Sequence, residues 1–312
     1  MQDKRPRSAN QWLRIAGTLI SLGLLVYLLW KQDWPELWRQ VRGVSPWVWL
    51  GCFGLYFSGQ VFNALRWLTL LRSKQVNITF AECLKLILSG AFASNFLPST
   101  VGGDILRVAG SQPFTGSYTL SLASVVLDRA LNVCTFLTVL PFSLITFGAS
   151  GIQLNLARHS SYSVVIGLPA IRHKIEKVLI KFKEAFLLWL KQPLTLGAAF
   201  IISWLSVLVM FIANTILANH LGIQVKLYQV MGVNAITYLL TLLPITFNGY
   251  GVREVLITTL YMSLGGTLEQ AASLAVITRF FMLLETLPGS LWIGRYLALI
   301  RASKREEIPT NS

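Results

Sequence analysis

FASNFLPSTVGGDILRV, residues 92–108, begins as an apolar helix and then sets a proline, two adjacent glycines, an aspartate and an arginine in a lipid-like context. A proline followed by glycines lets a chain reverse inside a membrane, provided the freed backbone groups meet protein or a water-filled cavity. Thr100 and Asp104 are expected to cap a helix starting after Gly103, with Arg107 one turn further along. An exposed helix N-terminus beside an arginine suits a phosphate.

The surrounding composition is that of an integral membrane protein. Of 312 residues, 54% are hydrophobic and only 13% charged, and the mean hydropathy is +0.59. Several apolar runs reach the roughly 20 residues a membrane helix needs. No small-residue cleavage pattern follows the first run, which is therefore expected to stay as an anchor. The formal charge of +14 fits basic cytoplasmic loops lying against anionic lipid. No motif interleaves those basic residues for nucleic acid. Cys52, Cys83 and Cys134 lie in apolar stretches without metal-like spacing and read as packing residues. The sequon at Asn77 falls in a loop expected in the cytoplasm and reads as a chance match.

Expected spans run about 11–30, 47–71, 118–148, 152–169, 194–218 and 270–300, the fourth being the weakest because Arg158 and His159 shorten it. Arg66 in the second span lies close enough to Arg72 and Lys74 to snorkel to the interface. Between spans lie two broken apolar segments, 80–112 and 228–264. Residues 172–191 set Phe and Leu at helical spacing opposite lysines, the pattern of an amphipathic helix on the inner leaflet.

The opening motif has a partner. LPSTVGGDILR (97–107) and LPITFNGYGVR (243–253) share Leu, Pro, Thr, Gly and Arg at an offset of 146, which pairs Arg107 with Arg253. VVLDR, ending at Arg129, and AVITR, ending at Arg279, follow at an offset of 150. Within a single membrane domain spanning 1–312, residues 11–148 and 152–300 therefore read as two repeats. If the basic segments are cytoplasmic, each half holds three spans plus a re-entrant hairpin, and an odd number of spans inverts one half relative to the other. Inverted repeats with paired broken helices point to a transporter with a site near the bilayer midplane. The expected fold is thus an all-α polytopic bundle of about six spans and two re-entrant hairpins, with eight full spans as the alternative. Both termini would be cytoplasmic and the protein would sit in the cell's inner membrane.

Charges this deep usually face the bundle interior or a polar path. Asp128 and Arg129 are adjacent and point to different sides of a helix, so they need partners elsewhere, such as Arg279, Glu285 or Glu254. NGYGVRE repeats the phosphate arrangement, with Asn248 as cap and Arg253 as cation. An anion path lined by Arg107, Arg129, Arg253 and Arg279 competes with buried ion pairs that only fix packing. No nucleophile–base set, HExxH, phosphate-cradling loop or metal cluster accompanies these residues, so neither an enzyme nor a cofactor is expected.

NFLPSTVGGDILR, VVLDR and PITFNGYGVRE, in that order, resemble the flippase-like domain of lysylphosphatidylglycerol synthase transmembrane-region proteins, over about residues 10–300. The resemblance implies an all-helical membrane fold that moves or handles lipids with anionic or polyprenyl-phosphate headgroups. Its functional residues carry over to Asn95, Pro98, Gly102, Gly103, Asp104, Arg107, Asp128, Arg129, Asn248, Gly249, Gly251, Arg253 and Glu254. These residues apart from Pro98, with Thr100 and Arg279 from the residue reading, make up the candidate substrate site. About a dozen residues follow the last span, with no soluble aminoacyl-transfer domain, so translocation without synthesis is expected. The alternative is a membrane subunit of a lipid-linked glycosylation or lipid-modification pathway. Expected partners are membrane lipids with a phosphate headgroup, and a second copy or a membrane enzyme as protein partner.

Overall fold

A proline at the first helical position needs no amide partner, and an apolar run free of breakers carries the helix on. Helix α1, Pro46–Arg72, starts this way, and α5, Pro193–His220, does the same. In this computed structural model, residues 42–96, 100–148, 188–242 and 251–296 are described, with Pro35, Arg39 and Ala298 besides. The expected first span, the weak span at 152–169 and the amphipathic stretch up to residue 187 lie outside them, as do 97–99 and 243–250.

The described residues form eight α-helices and no strand. After α1 come α2 (Phe80–Phe96), α3 (Thr100–Thr115) and α4 (Tyr118–Gly148). After α5 come α6 (Leu227–Thr241), α7 (Val252–Ser263) and α8 (Leu268–Leu284). A 3-10 turn at Leu287–Gly289 interrupts the last helix where Pro288 and Gly289 stand, and helix resumes to Tyr296. Thr267 caps α8 by accepting from the Gln270 amide, and the Gln270 side chain returns the bond.

Among the described residues three helices, Tyr118–Gly148, Pro193–His220 and Leu268–Tyr296, are long and apolar enough to cross a membrane. Helix α5 shows how such a span is built. Ser203, Ser206 and Asn214 are buried, whereas Leu194 is 89% and Ile201 63% exposed. Small and polar groups face the bundle and bulky aliphatics face outward, the reverse of a soluble helix and the right way round for lipid. The chain is an all-helical membrane bundle.

Every helix pairing made among α1–α4 has a counterpart among α5–α8. Helix α1 packs on α2 and α4 as α5 packs on α6 and α8; α2 packs on α3 and α3 on α4 as α6 packs on α7 and α7 on α8. Across the middle, α4 lies on α6 while the 287–289 turn lies on α2, and α1 lies directly on α5. The hairpin helices are short: at 1.5 Å per residue α2 and α3 measure about 24–26 Å and α6 and α7 about 18–23 Å, below the roughly 30 Å of a hydrocarbon core.

The glycine pair does not form the turn. Helix α3 starts at Thr100, so Gly102 and Gly103 lie inside it and Asp104 is no cap. Gly103 serves close packing instead: a Cβ there would stand 2.1 Å from the Gly90 carbonyl oxygen and from Ser94 Oγ on α2. Small residues at matching heights let two membrane helices touch backbone to backbone. Gly103→Leu should therefore cost about 1–3 kcal/mol or more, read as a lower unfolding temperature in detergent. A Gly103→Leu protein as stable as wild type would contradict this packing.

Candidate functional site

Four buried or half-buried acidic groups organise the interior. Asp128 on α4 is 2% exposed and sits between two arginines: Arg66 Nε on α1 donates to its Oδ1 at 2.7 Å, and Arg107 Nη2 on α3 to its Oδ2 at 2.8 Å. Arg66 also donates to Ser203 Oγ on α5 at 2.7 Å, and the Arg107 guanidinium lies 4.4 Å from the Trp67 ring. Arg66 thus does not snorkel to the interface; it turns inward because Asp128 offers a charge-assisted bond that headgroup water cannot better. Nor does Asp128 pair with Arg279, as the sequence had suggested. The triad ties α1, α3, α4 and α5 together.

The neighbouring residue points the other way, as adjacent helical positions must. Arg129 makes a forked contact with Asp104 on α3, its Nη2 at 2.9 Å and Nε at 3.1 Å from Oδ1. The second half repeats this pair. Arg279 Nε on α8 donates to Glu254 Oε1 on α7 at 2.7 Å, and in both pairs the partners are 25 residues apart. Glu254 also accepts the Gly251 amide on Oε2 at 2.8 Å, closing the first turn of α7. Gly251 adopts φ +80°, a conformation that favours glycine.

These pairs correct the register read from sequence. Asp104 matches Glu254, Arg129 matches Arg279 and Asp128 matches Thr278, all at the 150 offset. At that offset Arg107 and Arg253 are not equivalent, and their surroundings differ accordingly. Arg107 has a buried carboxylate; Arg253 has a threonine. Both Nη atoms of Arg253 lie 3.4–3.5 Å from Thr278 Oγ1, and its ion pair with Glu254 is 3.8 Å long.

A cavity of about 460 Å³ opens between the halves, and all eight helices contribute to its wall. Its charged lining is Asp104, Arg129, Arg253, Arg279 and Glu285. Its neutral polar lining is Gln60, Ser94, Asn95, Asn234, Thr237, Tyr238, Thr241 and Thr286. Asn95 Nδ2 donates to Thr286 Oγ1 at 3.1 Å, and Gln60 Nε2 to Glu285 Oε1 at 2.8 Å. Tyr238 stacks on Phe136 at 3.8 Å and accepts from Asn132 at 3.2 Å. The Arg253 and Arg279 side chains are each 11% exposed, whereas that of Arg129 is 52% exposed. Such a mix can hold one anionic group by guanidinium bonds and several hydroxyls by amides.

Of the expected site residues, Asn95, Asp104, Arg129, Arg253 and Arg279 come together around the cavity. Glu254 stands behind Arg279. Arg107 and Asp128 form the structural triad. Gly102 and Gly103 lie within α3, which Thr100 opens, and Gly251 precedes α7. Asn248 and Gly249 lie outside the described residues, as do Pro98 and Pro244. Gln60, Asn234, Tyr238 and Glu285 were not among the expected site residues. Glu285 carried the one readable signal, a carboxyl inside a membrane span.

A UPF0104 membrane protein of Pyrococcus horikoshii is 23% identical over 339 residues, covering 94% of this chain and 98% of its own length. No solved structure matches the chain. The family model for the lysylphosphatidylglycerol synthase transmembrane region matches residues 14–289. The chain belongs to that family, and with it to a group of membrane proteins with a lipid-related role.

Proposed function

We propose that the protein moves an anionic phospholipid or a polyprenyl- or glycosyl-phosphate lipid between the leaflets of the cell's inner membrane. The observation that carries this reading is Arg253: a buried arginine in the cavity wall whose bonds among the described residues are long contacts to a threonine and a 3.8 Å ion pair. A guanidinium held this loosely keeps bonding capacity for a phosphate. The headgroup would cross through the cavity while its tails stay in lipid.

The matched packing of α1–α4 and α5–α8, with the equivalent pairs Asp104–Arg129 and Glu254–Arg279, supports two repeats. The four short helices support two re-entrant hairpins, and the basic segments support cytoplasmic termini. Inversion of one repeat against the other would let the same cavity open to either side. Translocation requires no bond to be made or broken, and the protein acts as a transporter rather than an enzyme.

Mass spectrometry of the protein purified in mild detergent tests the ligand class. Wild type should retain phosphate-headed anionic lipid well above its share of the host membrane, and Arg253→Ala should not. Retained lipid that mirrors the membrane in both proteins would contradict the reading.

A further inference from the structure

Glu285 is the acidic side chain of the cavity that the ion-pair pattern leaves over. Asp104 faces Arg129 at 2.9 Å, Glu254 faces Arg279 at 2.7 Å, and Asp128 faces both Arg66 and Arg107. Glu285 ends α8, is 6% exposed, and has Gln60 Nε2 on its Oε1 at 2.8 Å. Among the described residues it takes part in no ion pair. The elements around it offer Gln60 and Tyr56 from α1 and Asn95 by way of Thr286 from α2, and Arg253 from α7 shares the cavity wall. Tyr56 donates to Asn214, and Arg279, earlier on α8, is bonded to Glu254.

Asp104, Asp128 and Glu254 each have arginines bonded to them, whereas Glu285 has only the Gln60 amide on it and shares the cavity wall with Arg253. A lipid phosphate admitted to the cavity sets a second negative charge near a buried carboxyl that no described cation bonds, and like charges so placed favour the protonated acid. Arg253 can turn to the phosphate, and a proton on Glu285 removes the repulsion between the two acids. The Gln60 amide serves a carboxylate and a carboxylic acid alike, because the bonded oxygen accepts in both.

We propose that Glu285 is the proton-binding site of this transporter, taking up one proton with each lipid anion and releasing it when the headgroup leaves. The inference rests on the transport reading above. The step is a balanced one: a carboxylate gains a proton from water on the loading side and returns it to water on the other. The loaded cavity carries the same net charge as the empty one, and the lipid moves together with a proton.

The test uses full-length protein in phosphatidylcholine vesicles containing fluorescent phosphatidylglycerol and a trapped pH dye, with a pH gradient imposed. Wild type should drive the labelled lipid toward the alkaline leaflet, by up to roughly tenfold in leaflet ratio per pH unit for one proton per lipid. Proton entry should accompany lipid movement. Glu285→Gln should lose both the gradient-driven asymmetry and the lipid-linked proton entry. Glu285→Asp, which keeps a carboxyl, should recover a measurable part of each. Wild-type lipid movement indifferent to the gradient would overturn the proton site and leave the transport reading standing, as would a Glu285→Gln protein that responds like wild type. No movement of lipid in wild type at any gradient would overturn both.

Discussion

Asp128→Ala is expected to destabilise the protein by about 3–5 kcal/mol, the largest effect any single side chain here should produce. Removing that carboxylate leaves Arg66 and Arg107 facing each other, 3% and 5% exposed, with no anion between them. Arg66 would keep Ser203, and Arg107 would keep the Trp67 ring and a 3.8 Å contact to Asp104. None of these offsets a lost pair of charge-assisted bonds, each worth about 1.5–3 kcal/mol. The helices would separate at α4, where the triad joins α1, α3 and α5. The measurement is thermal unfolding in detergent with monodispersity read by size exclusion. Asp128→Asn should fall between wild type and Asp128→Ala, since its amide oxygen can accept one arginine bond. Pairing Asp128→Ala with Arg107→Met should be milder than the sum of the two changes, because the second removes a stranded charge. Full stability of Asp128→Ala would show that the triad does not hold the fold.

Arg253→Ala is expected to leave the fold nearly intact and to weaken lipid capture by roughly ten- to a hundredfold, the equivalent of about 1.5–3 kcal/mol of charge-assisted bonding. The reason is the asymmetry between the halves. Where α4 offers Asp128 to its arginines, α8 offers Thr278, so among the described residues little competes for Arg253. Arg253→Lys should recover only part of the loss, because an ammonium keeps the charge but not the forked geometry that matches a phosphate. Binding of a labelled anionic lipid in nanodiscs reads both variants. Equal affinity in Arg253→Ala and wild type would remove this residue from the site.

The fold was legible where breakers interrupt apolar runs. The helices too short to cross alone, α2, α3, α6 and α7, fall in the two broken segments, and α1 and α5 begin one residue ahead of the expected spans, at Pro46 and Pro193. The glycine pair misled because a glycine's role depends on what faces it. Gly103 reads as a turn residue until Gly90 and Ser94 are seen packed against it. Arg66 misled for a similar reason: its distance from the basic end of α1 permits snorkelling, and only the fold brings Asp128 within 2.7 Å.

The site was half legible. Arg129 and Arg279 stand at the expected offset, and both line the cavity. Arg107 shares the LPxT…R spacing with Arg253 but lies behind Asp104 in the ion triad. Sequence comparison aligned the motifs at their prolines, while the pairs that carry charge align four residues differently. The neutral lining was invisible because one glutamine on α1 or one asparagine on α6 carries no pattern of its own. Glu285 was visible as a charge; what marks it out is having Gln60 where the other acids have arginines.

Movement of lipid across a bilayer tests the central claim most directly. Wild-type protein and Arg253→Ala, reconstituted at equal density into vesicles with fluorescent phosphatidylglycerol, are exposed to a quencher that reaches only the outer leaflet. Wild type should expose the inner-leaflet probe well above the protein-free rate, and Arg253→Ala should slow it tenfold or more. A wild-type rate equal to that of protein-free vesicles, or an Arg253→Ala rate equal to wild type, would contradict the account.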